Sequence, residues 1–265
     1  MPAPRLIDTH CHLNFSSYDG DREAVLRRAR EAGVDCVIIP AIDLESCRQA
    51  LALANAHAGL FVAAGVHPNS CGDFNASMLE TLRGFSRHQL AVAIGEIGLD
   101  YYWDKCPPAR QRRALEMQLE LAAELQLPVI LHNRDSSDDL LAILETWAPT
   151  APPVMNGRLG VLHSFSASAD AALRALELGF YLGFTGPITY KKAHELRAIA
   201  AEAPIDRLLI ETDGPFLAPQ QRRGKRNEPS YLRYVNERLA QLHGLAFEDM
   251  ARQTTLNAER LFALP

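Results

Sequence analysis

The 265-residue chain is predicted to be an α/β protein, a single closed (β/α)8 (TIM) barrel over residues 1–265 with additional C-terminal helices. Three observations predict it. Eight short apolar runs rich in β-branched residues alternate with amphipathic stretches, with turn residues at most changeovers. The runs are continuously apolar instead of alternating, which implies parallel strands covered on both faces, and right-handed crossovers leave few topologies. The length is close to the roughly 250 residues such a barrel usually takes. A doubly wound sheet fits less well, because the first strand-to-helix turn, THCHLNF, has no Gly-rich fingerprint.

Taken in order, the first strand is 6–10, followed by a helix at 21–32 that Asp21 starts and Gly33 stops. Strands at 36–40, 61–66 and 91–96 follow, the second of these set off by Gly59. A long amphipathic segment at 108–126 begins on a proline, where the missing N–H costs nothing, and leads to a strand at 128–132. The Pro-rich piece 148–157 reads as a loop before the strand at 159–163. Ser168 opens a helix at 168–178 that ends at Gly179, and the strand at 180–184, a helix at 193–202 and the strand at 207–213 complete the eight. Two further helices are expected after that. Ile94, Ile130 and Val161 are expected to fill the barrel interior.

Composition narrows the function classes. Hydrophobic residues make up 48% and charged residues 22%, so the chain folds. The net charge of −5 supplies no global field for nucleic acid, and any polyanion site has to be built locally. Five cysteines, at 11, 36, 47, 71 and 106, are odd in number and contain no C-x-x-C pair, which argues against a disulfide framework and for a reducing compartment. The chain starts without an apolar leader, and no run approaches a membrane span. The expectation is a cytoplasmic protein with no membrane contact and no obligate protein partner.

Chemistry gathers at strand ends. His10 and His12, two apart on the first strand, face one side, while Cys11 points to the helices. His67, His132 and His163 also end strands, as do Glu96 and Asp213, whereas His57, His88, His194 and His243 fall in helices or connections. The C-terminal mouth of a barrel is where catalytic groups sit. Imidazoles and carboxylates converging there without partners would be costly to bury, and divalent cations resolve this, the set being large enough for two ions with one carboxylate between them. No G-x-S-x-G, P-loop or H-E-x-x-H is present, which leaves metal-activated water as the nucleophile and Asp213 as its natural base. Zinc, manganese and magnesium all suit the donors.

The ordered motifs IDTHCH (7–12), GVHP (65–68), GEIGLDYY (95–102), PVILHNRD (128–135), VLHSFS (161–166), LLIETDGPFLAP (208–219) and RGKRNEP (223–229) resemble the TatD family of metal-dependent hydrolases, and the likeness continues to TTLNAERLF near the C-terminus. The resemblance implies a TIM barrel, a binuclear divalent-metal site and hydrolysis of DNA phosphodiester bonds, commonly as a 3′ to 5′ exonuclease. Carried over by position, it implies that His10, His12 and Asp213 bind one metal and His132 and His163 the other, with Glu96 bridging. Ala167 and Gly214 depart from the family's usual residues at those places.

Two other readings compete. An amidohydrolase-type enzyme acting on an amide or ester, such as a D-aminoacyl-tRNA ester, would use the same ions, and a metal-loaded binding protein would keep no open coordination positions. The four cations Arg222, Arg223, Lys225 and Arg226 favour a polyanion. His67 and Arg134 are expected to hold phosphate, Glu211 to support a ligand from behind, and Arg222 and Arg226 to track a DNA backbone. A recessed mouth suits a single-stranded DNA end, with Tyr101, Tyr102 or Trp103 stacking on bases.

Overall fold

The structure is a computed structural model that describes residues 4–264. The strands β1 (Leu6–Asp8), β2 (Val34–Pro40), β3 (Leu60–Ala64), β4 (Ala91–Asp100), β5 (Val129–Arg134), β6 (Gly160–Leu162), β7 (Tyr181–Phe184) and β8 (Leu208–Ile210) pair in parallel in chain order. Helices α1 (Arg22–Glu31), α2 (Leu44–Ala56), α3 (Ala76–Ser86), α4 (Pro108–Leu125), α5 (Ser137–Trp147), α6 (Ala169–Glu177) and α7 (His194–Glu202) alternate with them. The last two helices, α8 (Leu232–Leu242) and α9 (Phe247–Phe262), follow β8. The Pro-rich segment before β6 is a loop with two short 3-10 turns, at Ala148–Thr150 and Pro153–Met155.

The barrel closes between β1 and β8 through backbone bonds from Thr9 N to Ile210 O (3.3 Å) and Asp213 N to His10 O (2.8 Å), with a parallel bridge between Cys11 and Gly214. Asp8 reinforces the seam, accepting from the backbone and hydroxyl of Thr212 and from His10 N. Burial pushes the Asp8 carboxyl up to about 7 against those hydrogen bonds. Gly214 is tightly surrounded: a Cβ there would meet Tyr18 Oη and Cys11 Sγ, so this departure from the family pattern is a packing requirement of the seam.

Every strand contributes to the interior cluster: Ile7, Ile38, Ala63, Ala93, Ile130, Val161, Tyr181 and Leu209, with Cys36 of β2 and Val92 of β4 in addition. The expectation for Ile94 is corrected. Ile94 packs in the outer cluster with Val129 and Leu131, toward the helices, and Ala93 takes the inward place. Below this layer Ala258, Leu261 and Phe262 of α9 join the same cluster. The helix also binds the N-terminal strand ends, with Thr255 Oγ1 donating to Arg5 O and Asn257 Nδ2 to Leu208 O.

Candidate metal centre

β4 places the central carboxylate by breaking its own alternation. Ile94 and Ile97 both face outward although they are three apart, and the register with β5 shifts between them. The additional residue turns Glu96 inward, where strict period two would have sent it outward with Ile94. β4 then continues to Asp100, so Glu96 lies within the strand instead of ending it, and β5 likewise runs two residues past His132. The remaining candidates sit just beyond shorter strands: His10 and His12 after β1, His67 after β3, His163 after β6 and Asp213 after β8. Asp213 adopts a left-handed backbone (φ 55°), a conformation Asp tolerates better than most residues.

The six candidate metal residues come together in two sets joined by Glu96. On one side, five separations among His10 Nε2, His12 Nε2, Glu96 Oε2 and Asp213 Oδ1 fall between 3.3 and 3.7 Å. Ligand atoms in a tetrahedron about 2.1 Å from a common centre would lie about 3.4 Å apart, so this set has the dimensions of a divalent-ion cage. On the other side, Glu96 Oε1 is 2.8 Å from His132 Nδ1, 3.0 Å from His163 Nε2 and 3.6 Å from His67 Nε2. The rings of His10 and His163 stack at 3.8 Å, which holds the two sets side by side.

The electrostatics favour a cation. Burial acts to raise the Glu96 carboxyl, but His163, His67 and His10 outweigh it and hold the group well below its ordinary value. Burial likewise opposes ionisation of Asp213, and His12, His10 and His163 together keep it low. His10 is pushed down by burial and by its neighbour His163, and burial lowers His67 to about 4. Burial acts to lower His132 and His163 too, but Asp100 and Glu96 outweigh it at His132, and Glu96 and Glu211 outweigh it at His163, so both are raised. The carboxylates are held as anions, and their field draws positive charge to the points they share.

Glu211 lies fully buried behind the second set, accepting from Ser164 N (2.9 Å) with His163 Nδ1 3.6 Å away. It fits because β7 carries Gly183, where any Cβ would collide with the carboxylate. His67 accepts from Asn69 N at Nδ1 (3.0 Å), which leaves its proton on Nε2, toward Glu96. Arg134 is exposed and lies over the Tyr102 ring (3.9 Å), with Trp103 at 5.8 Å. Tyr102 and Trp103 are themselves 53% and 48% exposed, whereas Tyr101 is tied to Asp139 and Arg112 and packs against the core.

Arg222 and Arg226 are not brought into the cluster. Arg226 is engaged by Asp21 through both terminal nitrogens (2.7 and 2.8 Å) and lies over Tyr18, and Arg222 lies between Tyr231 (5.2 Å) and Tyr234 (5.7 Å). Asp100 is the residue sequence reasoning missed. Its Oδ2 is 3.0 Å from His132 Nε2, and its Oδ1 accepts from Tyr102 N and Trp103 N. Burial opposes its ionisation, but His132, Trp103 N and Asn69 bring it down to about 2. The available signal was an even spacing of four from Glu96 within one apolar strand.

The chain matches the family described as TatD related DNase over residues 7–263. It is 41% identical over 259 residues to an uncharacterized metal-dependent hydrolase, YabD, of Bacillus subtilis, covering 98% of this chain and 99% of that one. It is 37% identical over 265 residues to the 3′-5′ ssDNA/RNA exonuclease TatD of Erwinia amylovora, covering 98% and 100%. Among solved structures, YJJV, a TatD homologue from Escherichia coli K12, superposes with a TM-score of 0.91 at 37% identity, covering 98% of this chain and 99% of that one. A hydrolase TatD family protein from Entamoeba histolytica shares the fold at a TM-score of 0.88 and 23% identity. The eight-stranded barrel, the paired histidine and carboxylate sets and the match over nearly its full length make the chain a member of the TatD-related DNase family.

Proposed function

We propose that the protein is a metal-dependent nuclease that hydrolyses phosphodiester bonds of single-stranded nucleic acid from the 3′ end. The observation that carries this reading is the division of one buried carboxylate between two histidine sets, Glu96 Oε2 toward His10 and His12 and Oε1 toward His132 and His163. Two divalent ions held by these sets would suit in-line displacement at phosphorus. His10, His12 and Asp213 would hold one ion, His132 and His163 the other, with Glu96 shared. Bound there, the ions supply Lewis acidity and an acidified water. Asp213 takes the proton of the attacking water, and the Nε2–H of His67 donates to a phosphate oxygen. Arg134 is placed at the rim for a second phosphate contact, steadied by Tyr102. Glu211 and Asp100 fix the rings of His163 and His132 from behind.

The relatives named as 3′-5′ ssDNA/RNA exonucleases support this substrate class. No helix among the described residues is long and apolar enough to cross a membrane, and all five cysteines are free and buried, which supports a cytoplasmic setting. The test is hydrolysis of 5′-labelled linear single strands beside covalently closed circles of the same sequence, with DNA and RNA versions, after loading with magnesium, manganese or zinc. A stepwise ladder from the 3′ end on linear strands is expected, with circles untouched. Rapid nicking of circles would make the enzyme an endonuclease, and turnover of ester or amide substrates alone would favour the amidohydrolase reading.

A further inference from the structure

A cavity of about 490 Å3 opens at the mouth beside the first metal set, lined by Asn14, Phe15, Ser17, Gln49, Pro215 and Phe216 among others. Its two aromatic rings are positioned by the candidate ligands themselves. Phe15 N donates to His12 O (3.0 Å), and Phe216 N donates to Asp213 O (2.9 Å), so each phenylalanine closes a turn three residues after a group of the metal set. The Phe15 ring stacks on the His12 imidazole at 4.6 Å and 22° between planes, and the Phe216 ring stands edge-on to both at 6.2 Å.

Phe216 keeps 52% of its surface exposed, yet its backbone is pinned, since Asn227 Nδ2 donates to Phe216 O and to Thr212 O, each at 2.7 Å. Placed in the cavity wall beside the metal set, this ring offers a flat apolar face to a ligand. The lining contains no lysine or arginine and carries Asp43 and Glu45. A phosphate is therefore unsuited to this cavity, while a neutral flat ring suits it. Asn14 supplies the polar complement: its Nδ2 and Oδ1 are both buried and have no hydrogen-bond partner among the described residues, so the wall offers one donor and one acceptor to a planar edge.

We propose that this cavity is a nucleobase subsite, in which the base of a nucleotide flanking the scissile phosphate stacks on Phe216 beside Phe15 and presents its edge to Asn14. The inference rests on the nuclease reading above. It places base recognition on the β1 and β8 side of the mouth, away from Tyr102, Trp103 and Arg134 on the β4 and β5 side. The cavity, which has no cationic side chain, holds a base while the metal sets hold the phosphate next to it, and backbone geometry fixes the distance between the two.

The test compares kcat/KM of the metal-loaded wild type on single-stranded oligonucleotides that are unmodified or carry a tetrahydrofuran abasic unit at the last or the second-to-last 3′ position. Loss of about 10- to 100-fold at one of these positions is expected, the size of one base stack. Phe216→Ala should lose a similar factor on the unmodified strand and nothing further on the sensitive abasic strand, with metal content unchanged. Asn14→Ala should change the relative rates for the four terminal bases more than their mean. Indifference of the wild type to both abasic positions, or losses from Phe216→Ala and the abasic unit that multiply, would overturn the subsite while leaving the nuclease reading in place. Absence of cleavage of every unmodified strand would remove the nuclease reading and the subsite with it.

Discussion

His132 is held at both ring nitrogens by carboxylates of one strand, with Nδ1 2.8 Å from Glu96 Oε1 and Nε2 3.0 Å from Asp100 Oδ2. The arrangement resembles the carboxylate–histidine pairs that orient metal ligands from behind. Asp100→Asn should lower affinity for one of the two ions by about 10- to 100-fold and leave the other nearly unchanged. Metal titration followed by calorimetry checks this, and two equal weakened sites would place Asp100 elsewhere in the mechanism.

Glu96→Gln removes the charge shared by both sets while keeping the side chain's size. Metal content should fall below two per chain and turnover by at least about 100-fold, the scale of losing a preorganised electrostatic group. The metal-free variant should still fold, by far-UV circular dichroism, because the inward apolar layer lies beneath the site, although it loses the stabilisation that the Glu96 charge gains from its histidines. Retained turnover with two ions bound would reject the bridging role.

Chelation should abolish hydrolysis without unfolding the barrel. Far-UV circular dichroism before and after treatment, with activity restored separately by magnesium, manganese and zinc, reads both outcomes and ranks the ions.

The loop that carries Phe216 returns to α1 through Glu228, which accepts from Arg28 Nε (2.8 Å) and Nη2 (2.6 Å). Burial acts to raise the Glu228 carboxyl, but Arg28 and Ser230 outweigh it and hold the pKa below its ordinary value. A depressed carboxylate contributes stability that is present above the unfolded-state pKa and lost as pH falls through the folded one. The Arg28 side chain keeps 39% of its surface in solvent, which screens the pair, so Glu228→Gln should cost about 1 kcal/mol at neutral pH. Urea titrations from pH 7 to below pH 4 should show the two proteins converging in acid.

Strand order, the closed barrel and the convergence of His10, His12, His132, His163, Glu96 and Asp213 were legible because apolar runs and polar strand ends are local signals. The inward side of β4 was not. Alternation counted from Glu96 assigns Ile94 to the interior, and only pairing with the neighbouring strand reveals the additional residue that separates their faces. Asp100 escaped for a related reason, since the strand was expected to stop at Glu96 and runs four residues further. The role of Arg226 was hidden by distance along the chain, because its partner Asp21 lies 205 positions away. A charge cluster in sequence says nothing about which of its members are already neutralised.

The packed interior layer, backed by α9 beneath it, makes the mouth of the barrel a cul-de-sac. On the proposed nuclease reading, a strand could not thread through and emerge on the far side, so incoming polymer and departing product would share one doorway. If digestion runs from one end, as proposed, each cleaved nucleotide would back out past the chain that remains, coupling the pace of digestion to how readily the new terminus yields its place and settles again.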